Sequence, residues 1–166
     1  MHYFFLDASA LVKRYHREAG SDVVNYLLDR LLARMPERLA TSLLIISETV
    51  SVLTRQRNAG HIPNELFRRA VATVLLEARA MDLQSVDDGT ILNSIPLISR
   101  HNINAADALH LHQALSLQHL LRPMGHTLVL LASDQRLLRA ARHEGLLVLN
   151  PEEAAIEEAE EMLKLG

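Results

Sequence analysis

Four carboxylates, Asp7, Glu48, Asp107 and Asp134, stand in settings that ordinary surface chemistry explains unequally. Asp7 follows the apolar run Tyr3-Phe4-Phe5-Leu6 and precedes residues at helical spacing (Ala8, Ala10, Leu11, Val12), and Asp134 follows Thr127 to Ala132 in the same way. An aspartate between strand and helix is a common N-cap, and taken singly each of these needs no other account. They also share a place, because the carboxyl ends of parallel strands are where open α/β sheets hold their ligands. Glu48 has Leu44, Ile45, Ser51 and Val52 three and four residues away, so either it sits on an apolar face without a cationic partner, at a cost, or it reaches water from the edge of the stripe. Asp107 lies in a first helical turn, where negative charge is favoured, with His110 one turn on as its everyday partner. Brought together, the four acids would repel one another unless a cation sat among them. An all-oxygen donor set selects Mg²⁺ or Mn²⁺ over zinc, and such an ion activates water and neutralises charge on a phosphodiester.

Short apolar strands alternating with helices must position these groups. A strand from Tyr3 to Leu6 leads into a short helix. Ser21 caps a helix to about Leu32 whose apolar stripe is Val23, Val24, Leu27, Leu28 and Leu31, and Pro36 closes it. Leu39 to Thr41 is a brief strand. A helix from Ser42 ends at Gly60, and another runs from Pro63 to about Ala80 with proline in its first turn. Met81 to Val86 reads as a weak strand, Asp88 to Arg100 and Asn104 to Leu121 as helices, and Thr127 to Ala132 as a buried strand. Asp134 to Glu144 is a helix closed by Gly145, Leu146 to Leu149 a last strand, and Pro151 opens an acidic terminal helix. The alternation predicts a three-layer α/β/α fold with a mostly parallel sheet of four or five short strands and right-handed crossovers.

Length and composition narrow the function. The 166 residues, 49% hydrophobic, suit one core, so residues 1–150 are expected to form the domain, with the acidic helix 151–166 packed on it or extending from it. A net charge of −3 provides no global basic field, so nucleic acid would have to be held by a local patch. With no cysteine there is neither a disulfide framework nor a thiolate metal site, as befits a reducing cytosol. No signal-peptide pattern opens the chain and no apolar run reaches spanning length, so a cytoplasmic protein without membrane attachment is expected.

The segments around the four acids carry a family resemblance. FLDASALVKRY, SETVSVL, NAADALHL and LLASDQRLLRAARHEGLLVLNP resemble, in order and spacing, the four acidic motifs of the PIN-domain family, most closely the VapC-type toxins of type II toxin-antitoxin pairs. The resemblance spans nearly the whole chain and rests on the ordered set. It implies an endoribonuclease dependent on Mg²⁺ or Mn²⁺, with Asp7, Glu48, Asp107 and Asp134 as metal ligands or organisers of the attacking water. It also implies Ser9 as a polar helper in the site, Asn104 and Ser133 as accessory groups orienting the acids, a VapB-type antitoxin as partner, and a homodimer. Relatives often carry an acid or asparagine two positions after the last aspartate. Here Arg136 stands there, which leaves one versus two metal ions open.

Other signals are weaker. Val86-Asp-Asp-Gly-Thr is similar to the DxDGT loop of haloacid-dehalogenase phosphatases, but that loop belongs after the first strand, where this chain has Asp7 and Ser9. A phosphatase is therefore a remoter alternative than a non-catalytic PIN-like binding or scaffold module whose acids only cap helices. His110 and His112 are two apart, not the three or four of a helical metal pair, and read as packing or surface residues. Lys13, Arg14 and Arg55 fall near helix ends that would rim the acidic site and are the candidate RNA contacts, with a solvated face as the plain alternative.

Overall fold

Phe4, Phe5 and Leu6 are fully buried in the middle strand of the sheet, β1 (His2–Leu6), of a computed structural model that describes residues 1–164. A strand covered on both faces has no polar alternation, which is why this run reads as continuously apolar. After it come α1 (Ala8–Leu11), a 3₁₀ turn at Val12–Arg14, α2 (Ser21–Arg34), β2 (Leu39–Ser42), α3 (Leu43–Asn58) and α4 (Asn64–Ala78). Then follow β3 (Asp82–Gln84), α5 (Asp88–His101), α6 (Ala105–Leu121), β4 (Thr127–Leu131), α7 (Gln135–His143), β5 (Leu147–Leu149) and α8 (Ile156–Lys164).

The five strands lie in the order β3-β2-β1-β4-β5 and every pairing is parallel, with Phe4 opposite Leu39 on one side and Val129 on the other. The expected α/β sheet is therefore present at the upper end of its predicted strand count. The chain steps outward from β1 to β3, then returns across the sheet to β4 and β5, so the strand order reverses between β1 and β4. By the right-handed rule for parallel crossovers, this strand order calls for α2, α3 and α4 on one face and α5, α6 and α7 on the other, and α3 does pack on α4, α5 on α6 and α6 on α7. Leu27, Leu28 and Leu31 of α2 and Leu111 of α6 fill the layers beside the sheet without exposure. Each contributes about 1.5–3 kcal/mol through burial.

The acidic C-terminal segment departs from its predicted form. Its helix begins at Ile156, five residues later than Pro151, because residues 151–153 form a turn held by Asn150. The backbone N–H groups of Glu153 and Ala154 donate to the Asn150 carbonyl, and that of Glu152 to its side-chain oxygen at 3.1 Å. Pro151 is buried against Gly20, and the Glu152 carboxylate turns inward to Lys13 Nζ at 2.6 Å. α8 then packs on α2 with Ala159 fully buried. Pro63 also shifts slightly, acting as the N-cap of α4 instead of sitting in its first turn.

Candidate active site

The reversal of strand order between β1 and β4 opens a crevice at the carboxyl ends of these strands, the place where α/β sheets bind ligands. Asp7 is the first residue past β1, and its N–H donates to the Leu131 carbonyl at the end of β4. Its carboxylate caps α1 through Oδ2, accepting from both the N–H and the hydroxyl of Ser9. The Ser9 oxygen in turn accepts the Ser133 N–H at 2.9 Å, which ties the end of β4 to the start of α1. Oδ1 of Asp7 makes no hydrogen bond among the described residues. Asp134 caps α7 with Oδ1, taking the N–H groups of Arg136 and Leu137 at 2.8 and 3.0 Å. Capping and facing the crevice are compatible because each cap uses one oxygen of two.

Glu48 enters from α3 and Asp107 from the first turn of α6. Together with Asp7, Ser9, Ser133, Asp134, Lys13 and Arg55 they line a cleft of about 630 Å³. Asn104, the N-cap of α6, accepts the Asp107 N–H and donates its amide to Asp107 Oδ2, both at 2.8 Å, fixing that carboxylate. Burial pushes the Asp107 carboxyl up to about 6, reinforced by the charges of Asp7 and Asp134 and, to a smaller extent, Glu48, with His110 acting the other way. Like charges therefore meet in this cleft, as the sequence reading expects.

Glu48 is not the unpaired acid its helical neighbours suggest. His110, almost wholly buried on α6, places Nε2 2.7 Å from Glu48 Oε2, so the histidine serves Glu48 and not Asp107. That pairing joins residues 62 apart in sequence and gives Glu48 a partner that spacing along one helix does not reveal. The basic residues divide. Arg55 is exposed at the cleft and donates to Ser51 at 2.9 Å. Lys13 also lines the cleft but is buried between Glu18 and Glu152. Arg14 is drawn off to Asp29 at 2.6 Å and Glu77 at 2.8 Å, on α2 and α4, and does not line the cleft. Arg136 is exposed on α7.

The donors suit a hard divalent cation: they are oxygens only, burial and then their mutual repulsion raise Asp107, and the Ser133 hydroxyl is buried in the same wall with no hydrogen-bond partner among the described residues. Their spacing is open. Among the described residues, the set of three metal-type donors whose atoms approach within 4.8 Å of one another is His101, His143 and Glu144, elsewhere on the surface, and no trio of the four acids does so.

A PIN domain model matches residues 4–143. The chain belongs to the PIN-domain family. Solved structures agree with this PIN domain in fold at low identity. PAE2754 from Pyrobaculum aerophilum is 17% identical, with a TM-score of 0.60 and 99% of each chain covered. A toxin-antitoxin complex from Klebsiella pneumoniae is 15% identical with a TM-score of 0.55, covering 90% of this chain and 98% of the other. VapC20 of Mycobacterium tuberculosis, a Sarcin-Ricin loop cleaving toxin, is 19% identical with a TM-score of 0.55, covering 82% and 94%. No curated protein sequence matches the chain.

Proposed function

We propose that this PIN domain is a metal-dependent endoribonuclease and the toxin half of a VapC-type toxin-antitoxin pair. The observation that carries the reading is the convergence of Asp7, Glu48, Asp107 and Asp134, from four separate parts of the chain, on one cleft at the switch point of the sheet. Asp7, Glu48, Asp107 and Asp134 would hold Mg²⁺ or Mn²⁺. Bound there, the ion supplies a water of lowered pKa and neutralises charge on the phosphodiester. The protein's own part is orientation. Ser9 fixes Asp7, Asn104 fixes Asp107, His110 fixes Glu48, and the α7 N–H groups fix Asp134. Arg55 offers the accessible cation at the rim for an RNA phosphate, whereas Lys13 is already engaged by two carboxylates.

Partners follow from the same reading. Two of the similar solved structures are a toxin-antitoxin complex from Klebsiella pneumoniae and VapBC-1 from nontypeable Haemophilus influenzae, and here Leu66, Leu75 and Leu76 of α4 and Ile91, Leu92 and Ile95 of α5 are exposed apolar residues. We assign these helices to the antitoxin and to a second copy in a homodimer. Among the described residues no helix is long and apolar enough to cross a membrane, and the proposed site of action is the cytoplasm.

Purified protein is expected to cleave RNA with Mg²⁺ or Mn²⁺, to stop with EDTA, and to lose cleavage in Asp7→Asn. Undiminished cleavage by that variant overturns the assignment. The alternative, a binding module whose acids serve as caps, has one observation in its favour, since Asp7 and Asp134 do cap α1 and α7. A Mn²⁺ titration that leaves the thermal midpoint unmoved, with no cleavage, would decide for it.

A further inference from the structure

Away from the cleft, the C-terminal ends of α5 and α7 meet through His101, His143 and Glu144. His101 is the last residue of α5, His143 the last of α7, and Glu144 the C-cap of α7. Nε2 of His101 lies 2.6 Å from Glu144 Oε1, and the rings of His101 and His143 stand edge to face with centroids 5.1 Å apart. One donor atom from each of the three lies within 4.8 Å of the others. His101 is 7% exposed and Glu144 18%, so two of the donors are held by packing, while His143 closes the cluster from the solvent side.

We propose that His101, His143 and Glu144 form a binding site for a zinc-class divalent cation that clips α5 to the end of α7. Two imidazoles and one carboxylate are a recurrent three-residue zinc set, leaving a fourth, tetrahedral position for water. Imidazole also selects against Mg²⁺, which prefers oxygen and keeps its waters, so the site differs in chemistry from the acidic cleft. Both helices present their carbonyl ends here, and the partial negative charge of a helix C-terminus favours a cation. Hydrogen bonds from Arg100 and His101 lower the Glu144 carboxyl from its ordinary value, which favours the ionised ligand. Arg100 is the competitor: it reaches Glu144 Oε1 at 2.9 Å, but its side chain is 55% exposed and free to swing into water. The bonds to Glu144 are the side-chain hydrogen bonds that join α5 to the end of α7 among the described residues, so an ion here would brace the helix whose other end begins at Asp134.

The test is calorimetric titration of chelator-stripped protein with Zn²⁺, in excess Mg²⁺ to fill the cleft, beside thermal midpoints with and without Zn²⁺. One zinc per chain is expected, with a raised midpoint. His143→Ala, which removes a ligand that makes no hydrogen bond among the described residues, is expected to keep its metal-free midpoint and lose at least roughly tenfold in zinc affinity. Glu144→Gln should lose as much, and Arg100→Ala should bind zinc more tightly. Absence of zinc binding in the wild type, equal affinity in His143→Ala, or weaker binding in Arg100→Ala overturns the proposal.

Discussion

Nε2 of His110 lies 2.7 Å from Oε2 of Glu48, and because an ionised carboxylate only accepts, the histidine carries its proton on Nε2. Nδ1 is buried without a hydrogen-bond partner among the described residues, so this single bond fixes how the ring sits and how Glu48 enters the cleft. Groups that orient metal ligands are worth about 10–100-fold in affinity or activity. His110→Leu, close in volume and without a donor, is therefore expected to weaken Mn²⁺ binding by roughly tenfold or more, with His110→Gln recovering part of it. Calorimetric titration checks this, and equal affinity in all three proteins would remove His110 from the site.

Asp107 makes the metal-free protein sensitive to pH. Its carboxyl would titrate at 3.8 in the unfolded chain, and burial raises it to about 6 in the fold. Between those values the folded chain keeps a proton that the unfolded chain has lost, so stability falls as pH rises through this window and the whole cost is present above pH 6. Asp107→Asn removes the cost. The variant should be more stable than the wild type near neutral pH by about 1 kcal/mol, discounted for the partial exposure of the carboxylate, and lose that advantage towards the unfolded value. Urea melts without metal, at neutral and acid pH, measure both ends, and a variant less stable near neutrality contradicts the reading.

What could be read without coordinates follows local physics. Phe4 to Leu6 and Thr127 to Leu131 announce buried parallel strands through unbroken apolar runs, and the aspartates after them announce caps, which Asp7 and Asp134 are. Contacts made across the fold leave no such trace. His110 meets Glu48 over 62 residues, Arg14 is taken from the cleft by Asp29 and Glu77, and residues 151–153 turn because Asn150, Lys13 and Gly20 hold them there. Helix propensity in that acidic segment yields to tertiary contacts worth more than the few tenths of a kcal/mol per residue at stake.

Ser9 is expected to matter for stability as well as for the site. Its hydroxyl donates to Asp7 Oδ2 and accepts the Ser133 N–H at 2.9 Å, so Ser9→Ala leaves that N–H without its partner. An unpaired buried donor costs about 1–3 kcal/mol. Chemical denaturation should show a loss in that range, and RNA cleavage should fall because Asp7 is less firmly held. Ser9→Thr keeps the hydroxyl and should retain most of both; a neutral Ser9→Ala would refute the linkage.

Gly20 is where the beginning and the end of the domain touch. Its φ is +84°, in the left-handed region that disfavours a side chain, and a Cβ there would lie 2.7 Å from both the carbonyl carbon and the oxygen of Pro151. The obstacle is backbone, which cannot rotate aside as a long side chain would. Relief requires the 151–153 turn to move, and that turn carries Glu152, whose carboxylate sits 2.6 Å from the buried Nζ of Lys13. Gly20→Ala should therefore cost more than the roughly 1 kcal/mol of an ordinary left-handed glycine, about 2–3 kcal/mol in all. Gly60, also at positive φ but with open space around it, supplies the control: Gly60→Ala should show the conformational penalty alone. If urea melts give the two variants equal losses, the close approach to Pro151 contributes nothing.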